Sequence, residues 1–255
     1  MKVISQRIGS VTVTALTDGV GTFFTPRAEA FASASTADWA RADALDPGAV
    51  TPEGEWLLHF RVFAIRPDDG PVTLVDAGIG PADAPAKTWA PVPGRLPLEL
   101  ALAGIDPASI ETVVLTHLHT DHVGWAVSGL FPNAAILLQR SELDWISPRM
   151  RELLPDNQLV LLDGDSRLSA STRIVATPGH TPGHQSVLVD SGDDLMAVTG
   201  DLLVHAMQLV APLTAYSNEM DPEQAAASRT SLFATVKGRD GLLATPHLTE
   251  PFVRL

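Results

Sequence analysis

The chain contains no cysteine. Disulfide staples are therefore excluded, and a metal held by side chains must be held by histidine, aspartate or glutamate rather than thiolate. Positive charge is also scarce. Against 30 Asp and Glu stand only 17 Lys and Arg, a formal net charge of -13. With no run of basic residues, such a surface repels polyanions, so neither nucleic acid nor an anionic membrane is expected as a partner. No apolar run is long enough for a membrane span. The apolar character of the first seven residues, MKVISQR, breaks too early for a signal-peptide core. A soluble cytoplasmic protein is expected, monomeric or homodimeric, acting on a small molecule. What remains is ordinary for a globular chain: 45% apolar and 18% charged residues over 255 positions, enough for a full core. No linker-like stretch divides it, so a single domain over 1–255 is expected.

Against that background one stretch stands out. Thr116-His117-Leu118-His119-Thr120-Asp121-His122 follows the apolar run Val113-Val114-Leu115. Three imidazoles and a carboxylate within six residues, at the end of a buried strand, are hard to explain as packing, and both groups are ligands for a borderline divalent ion. Four groups so close together do not easily converge on one ion, so other segments must contribute.

The remaining chain reads as strands with loops between them. Residues 2–18 alternate as two short strands around Gly9-Ser10. Residues 21–55 lose periodicity; they suit an irregular segment beside a binding site, or a plain surface excursion, with a short helix near 37–44. Strands are expected at 57–65 and 72–75, joined by the turn Pro67-Asp68-Asp69-Gly70. A Pro/Gly-rich loop over 79–97 and a helix over 98–103 come next. After the strand at 111–116, a helix is expected beyond Gly124, a strand at 134–138, a helix capped by Ser141 through 146, and an irregular connection over 149–158. Strands follow at 160–162 and 173–176, with a hairpin over 185–190 and 195–198. Asp221-Pro222 opens the clearest helix, closed by Gly238, before a last buried strand at 241–245.

Each further candidate ligand stands where a strand hands over to a loop: His180 after Ile174-Val175-Ala176, Asp201 after Met196-Ala197-Val198, and His247 after Leu242-Leu243-Ala244. Open α/β sheets gather functional groups at such positions. Asp76, closing Leu74-Val75, reads either as a strand terminator or as a buried carboxylate that orients neighbours.

Together, His117-x-His119-x-Asp121-His122, Gly179-His180, Gly200-Asp201, Pro246-His247 and Asp76 resemble the metallo-β-lactamase superfamily, from about residue 57 to the C-terminus. The resemblance implies a mixed α/β fold, a four-layer αββα sandwich with metals at one edge. It implies two divalent ions, zinc foremost with manganese, iron or cobalt as alternatives. His117, His119 and His180 would hold one ion, Asp121, His122 and His247 the other, with Asp201 bridging. Asp121 and Asp201 would also act in catalysis, by way of a hydroxide shared between the ions, while Asp76 and His184 would orient ligands from behind. The Thr177–His184 segment and the context of Asp201 are similar to the lactonase and methyl parathion hydrolase branch. The tyrosine that lactonases carry shortly after the bridging aspartate is absent, since Val204 and His205 stand there. The expected reaction is hydrolysis of an ester or lactone, or of an aryl ester or phosphotriester. A glyoxalase II-like thioesterase, an iron-dependent redox member and a non-catalytic metal-binding module are the alternatives. Phe23, Phe24, Trp39, Trp89 and Trp125 are candidate walls of an apolar substrate pocket, and each also reads as loop packing. His205 and the single tyrosine, Tyr216, are further pocket candidates.

Overall fold

The structure is a computed structural model that describes residues 3–255. Met1 and Lys2 lie outside the described residues, and with Lys2 the first position of the expected strand pair over 2–18. The first sheet takes β1 (Ile4–Ile8), β2 (Val11–Thr22), β3 (Leu57–Pro67), β4 (Thr73–Val75), β5 (Thr112–Val114), β6 (Ala135–Gln139) and β7 (Leu159–Leu162), in that spatial order. Pairing is antiparallel from β1 to β4 and parallel from β4 to β7. The second sheet takes β8 (Ser166–Arg167), β9 (Thr172–Ala176), β10 (Gln185–Ser191), β11 (Asp194–Val198), β12 (Leu242–Ala244) and β13 (Phe252–Arg254), ordered β13-β12-β11-β10-β9-β8. Only β11 and β12 pair in parallel there.

Strand periodicity explains the layering. Along β3, Phe63 and Ile65 face the second sheet, while Val62 and Ala64 face the helices outside. Along β10 and β11, Val187, Val189, Met196 and Val198 meet them from the other side, while Leu188, Leu195 and Ala197 point outward. Both faces of each sheet are thus apolar, which requires a helical cover on each side. On the first sheet the cover is α3 (Leu96–Leu102) and α4 (Thr120–Val127), through Leu96, Leu100, Val123 and Ala126. On the second it is α7 (Pro222–Lys237), through Leu232, Phe233 and Val236. The result is the expected four-layer αββα sandwich. Shorter helices, α1 (Arg27–Ala30), α2 (Thr36–Leu45), α5 (Pro148–Leu153) and α6 (Met207–Val210), decorate the loops.

Several boundaries differ from the sequence reading. The helix expected after Gly124 begins at Thr120, within the histidine cluster, with His119 in the N-cap position and Gly124 inside the helix. A Cβ on Gly124 would come within 2.4 Å of Gly80 N and Ile79 C, so this helix rests directly on the 79–80 backbone. The helix expected over 141–146 is a 3-10 turn, Arg140–Asp144. The irregular 149–158 connection holds α5, opened by Ser147 and Pro148. Short strands β8 and β13 carry too few residues to show periodicity.

Residues 21–55 contain the expected helix, α2, closed at its start by a Ser35–Asp38 capping box. Phe31 and Ala42 from this segment join the core outside the second sheet. Among the described residues no helix is long and apolar enough to cross a membrane.

Candidate metal centre

Five loops leave the sheets at one edge, after β4, β5, β9, β11 and β12. The first carries Asp76, whose backbone is in the left-handed region (φ 67), a conformation that aspartate tolerates better than most residues. That turn sends its carboxylate back along β5. It accepts hydrogen bonds from the Thr116 backbone N–H (2.7 Å), from the Thr116 hydroxyl (3.0 Å) and from His122 Nδ1 (2.8 Å). The strand-terminator reading is therefore the incomplete one: Asp76 orients His122.

The helix start divides the histidine cluster. His117 stands in the loop, His119 caps α4, and Asp121 and His122 belong to its first turn. In the first group, His117 Nε2 and His180 Nε2 lie 2.8 and 2.9 Å from His119 Nδ1, and Asp201 Oδ2 lies 3.2 Å from His180 Nε2. In the second, His122 Nε2 and His247 Nε2 stand 3.1 and 3.0 Å from Asp201 Oδ1, with Asp121 Oδ2 3.4 Å from His122 Nε2. Asp201 reaches into both groups, one oxygen to each. Within each group the candidate donor atoms all lie within 4.8 Å of one another.

The protonation pattern tests whether cations fit. His122 gives its Nδ1 proton to Asp76, and His247 gives its Nδ1 proton to the His59 carbonyl (2.8 Å). In neutral rings both Nε2 atoms then present lone pairs, and both point at carboxylate oxygens. His122 Nε2 is buried without a hydrogen-bond partner among the described residues. Acceptors facing acceptors in a buried site are costly, and a cation between them satisfies both. Neutral imidazole with carboxylate is also the donor chemistry of borderline divalent ions. The residues fit two such ions.

The titration of the first cluster agrees. Burial, with the neighbouring imidazoles, pushes His117 well below the usual histidine range and His119 to about 3, so both present lone pairs at neutral pH. Burial opposes ionisation of Asp201, but His122, His247, His117 and His180 overcome it and hold the carboxyl well below its usual range. For His122 and His247 burial is likewise outweighed, at His122 by Asp201, Asp121 and Asp76 and at His247 by Asp201 and Asp121, and both rings are pushed up; at these two positions a cation would bind in place of a proton.

His184 sits behind the first group. Its Nδ1 faces the Thr177 hydroxyl (2.9 Å) and its ring lies 5.3 Å from that of His117. The loop that carries His247 is held by Arg61, a buried guanidinium that donates to the Leu248 carbonyl and, at 2.5 Å, to that of Thr249.

Above the clusters lies a cavity of about 420 Å³. His119, Asp121, His180, Asp201 and His247 contribute to its lining, together with Phe23, Phe24, Trp56, Leu58, Trp89, Trp145, Ile146, Met150, Val204, Tyr216 and Asn218. Four of the proposed wall residues, Phe23, Phe24, Trp89 and Tyr216, are thus in place. Three are not. Trp125 lies on the outer side of α4, where its indole N–H donates to the buried Asp18 carboxylate (3.0 Å). Trp39 and His205 pack one layer behind the wall, against Phe31, and the His205 ring also meets Trp56. Trp56, Trp145, Ile146 and Met150 went unrecognised in the sequence. Trp56 is adjacent to a strand, but nothing local distinguishes the others.

The family model described as metallo-beta-lactamase superfamily matches residues 61–247. The N-acyl homoserine lactonase AiiA of Bacillus thuringiensis subsp. kurstaki is 29% identical over 158 residues, covering 59% of this chain and 61% of that protein. AttM, an N-acyl homoserine lactonase of Rhizobium radiobacter, is 37% identical over 111 residues, 36% of this chain and 40% of that one. The matched region thus spans about three fifths or less of these relatives. Among solved structures, a dizinc quorum-quenching lactonase, AidC, aligns over 99% of this chain and 96% of its own, with TM-score 0.81 and 20% identity. A probable metal-dependent hydrolase from Staphylococcus aureus aligns over 98% and 94%, with TM-score 0.83 and 18% identity.

Proposed function

Because the chain belongs to the metallo-beta-lactamase superfamily, we propose that it is a dinuclear metal-dependent hydrolase that cleaves an ester or lactone carrying an apolar group. The observation that carries this reading is Asp201, shared between two imidazole-carboxylate clusters beneath an aromatic cavity. His117, His119 and His180 would hold one ion, Asp121, His122 and His247 the other, and Asp201 both; zinc is the ion proposed. Such a pair supplies Lewis acidity for a carbonyl oxygen and acidifies a water near neutral pH.

The chain's own residues do the rest. Asp76 and the His59 carbonyl fix the tautomers of His122 and His247, so that each turns a lone pair inward. Asp201 and Asp121 bring the negative charge that offsets two cations in a buried site. Phe23, Trp56, Trp89 and Trp145 offer an apolar wall that excludes water and seats the substrate's hydrophobic part. Burial raises the Tyr216 phenol above its usual range, so its proton is retained. Its oxygen accepts from Asn218 Nδ2 at 3.0 Å, which leaves the phenol O–H able to donate toward the cavity. The similarity to N-acyl homoserine lactonases supports a lactone as substrate. The chain's acidity and a cavity of about 420 Å³ support a small molecule over a nucleic acid.

The test is a panel of acyl-homoserine lactones, aryl esters, phosphotriesters, thioesters and β-lactams, run on metal-analysed protein with and without a chelator. Lactone or aryl-ester turnover that chelation abolishes and zinc restores is expected. Turnover restricted to thioesters would replace this reading with the glyoxalase II-like one, and metal-independent turnover would refute it.

A further inference from the structure

Glu142 is a fully buried carboxylate to which the chemistry above assigns no task. It stands in the 3-10 turn Arg140–Asp144, and burial pushes its carboxyl above the usual range. Its oxygens collect N–H donors from three separate segments. Oε2 accepts from the Leu118 backbone, between His117 and His119, at 2.9 Å, and from the Trp145 indole at 3.0 Å. Oε1 accepts from the Gly183 backbone, in the loop that carries His180 and His184, at 2.7 Å. The ring of Trp145 in turn lies 5.5 Å from that of His119 and lines the cavity. The approach of Gly183 is close: a Cβ there would fall 2.8 Å from Glu142 Cγ and backbone N, and 2.7 Å from Ser141 Oγ.

All three of these N–H groups can only donate, and the Thr181 hydroxyl also favours the charged form, so a carboxylate suits the position and a glutamine does not. An amide would turn its NH2 toward at least one N–H, leaving a buried donor unpaired. Glu142 therefore links, through one group, two loops bearing first-cluster histidines and the indole that walls the pocket beside them.

We propose that Glu142 is a positioning residue that registers the Trp145 wall against the first histidine cluster, and so sets how large an apolar group can seat over the metal centre. The part concerning substrate rests on the hydrolase reading above; the part concerning the histidines does not.

The experiment uses the full chain loaded with zinc, with the variants Glu142→Gln, Gly183→Ala and Trp145→Phe. Zinc affinity is read by chelator competition, and KM and kcat are read for phenyl acetate and 2-naphthyl acetate. Glu142→Gln is expected to weaken one of the two zinc sites by about 10-fold or more, the size typical of lost ligand-orienting partners. It should also raise the naphthyl-to-phenyl KM ratio more than it changes kcat. Gly183→Ala, which keeps the carboxylate but displaces it, should reproduce both effects and serves if the glutamine variant does not fold. Trp145→Phe should shift the KM ratio and leave zinc affinity unchanged. The proposal is overturned if the folded Glu142 and Gly183 variants keep both the zinc affinity and the KM ratio within about twofold of the parent. It is equally overturned if Trp145→Phe leaves the ratio untouched. If the parent hydrolyses neither ester, the hydrolase reading is decided separately by the wider substrate panel. Zinc competition and the quenching of 2-naphthol fluorescence on binding then decide the role of Glu142.

Discussion

At the scale of single residues, the site depends on groups that never need to touch a substrate. Asp76 spends its carboxylate on Thr116 and His122. In Asp76→Asn an amide N–H would face His122 Nδ1, favouring the tautomer whose Nε2 proton points into the second cluster. We expect metal retention by that cluster to fall by roughly 10- to 100-fold, with the first cluster retained. Metal per chain after dialysis reads this directly, and two ions per chain at unchanged affinity would sink it. His205 makes a different prediction. Burial, aided by Arg27, holds it at about 3, against an ordinary value of 6.5, and its Nδ1 accepts the Met207 N–H at 2.9 Å. The unfolded chain therefore binds this proton first as pH falls, so the stability the neutral ring contributes is complete above about 6.5 and is lost progressively toward about 3. His205→Asn, which can still accept from Met207, should show a shallower fall in urea midpoint between those limits than the parent.

Elements position the pocket as well as the ligands. The segment that follows Asp201 and carries Val204, Tyr216 and Asn218 has little regular structure beyond α6. It is held from beneath by Arg229 of α7. This fully buried guanidinium pairs with Glu219 at 2.7 Å and donates to the carbonyls of Pro212 (2.8 Å) and Leu202 (3.2 Å). Glu219 in turn accepts the Tyr216 N–H at 3.0 Å. Removing one member leaves the other charge buried and unpaired, which costs on the order of 3–5 kcal/mol. Arg229→Met should lower stability by about that amount in a urea titration, and Arg229→Met with Glu219→Gln should recover a good part of it. If the single variant is as stable as the parent, the pair does not anchor the segment.

On the scale of the whole molecule, the two clusters join the two sheets. His117, His119, Asp121 and His122 follow strands of the first sheet, while His180, Asp201 and His247 follow strands of the second. Bound ions would therefore crosslink the sandwich at one edge. Ions that bind only the folded chain, held at about a thousand times their Kd, each contribute roughly 4 kcal/mol. For a chain of this size, stripping them with a chelator should lower the unfolding midpoint by roughly 10 °C or more. Calorimetry with and without zinc reads the shift, and coincident midpoints would argue against ions at this edge.

How much of this was legible in the chain follows from what is local. The candidate ligand types, their places at strand ends and the need for ligands from other segments all stood in sequence order, because alternating apolar residues fix a strand and the next residues inherit its end. The exclusion of thiolate ligands was equally secure. The split of the histidine cluster came with the family resemblance, and its physical cause is the start of α4 at Thr120. The pocket wall was only half legible. Phe23, Phe24 and Trp89 could be named, but Trp39, Trp125 and His205 were indistinguishable from them, because an aromatic in a loop looks the same whether it faces a cavity or a core. Trp145 reaches the wall because Glu142 holds it, and Glu142 matters only once Leu118 and Gly183 are brought beside it. Those contacts join residues 24 and 41 positions apart. Local sequence determined the chemistry; tertiary packing decided the shape of the space above it, since that shape depends on which distant segments share a buried charge.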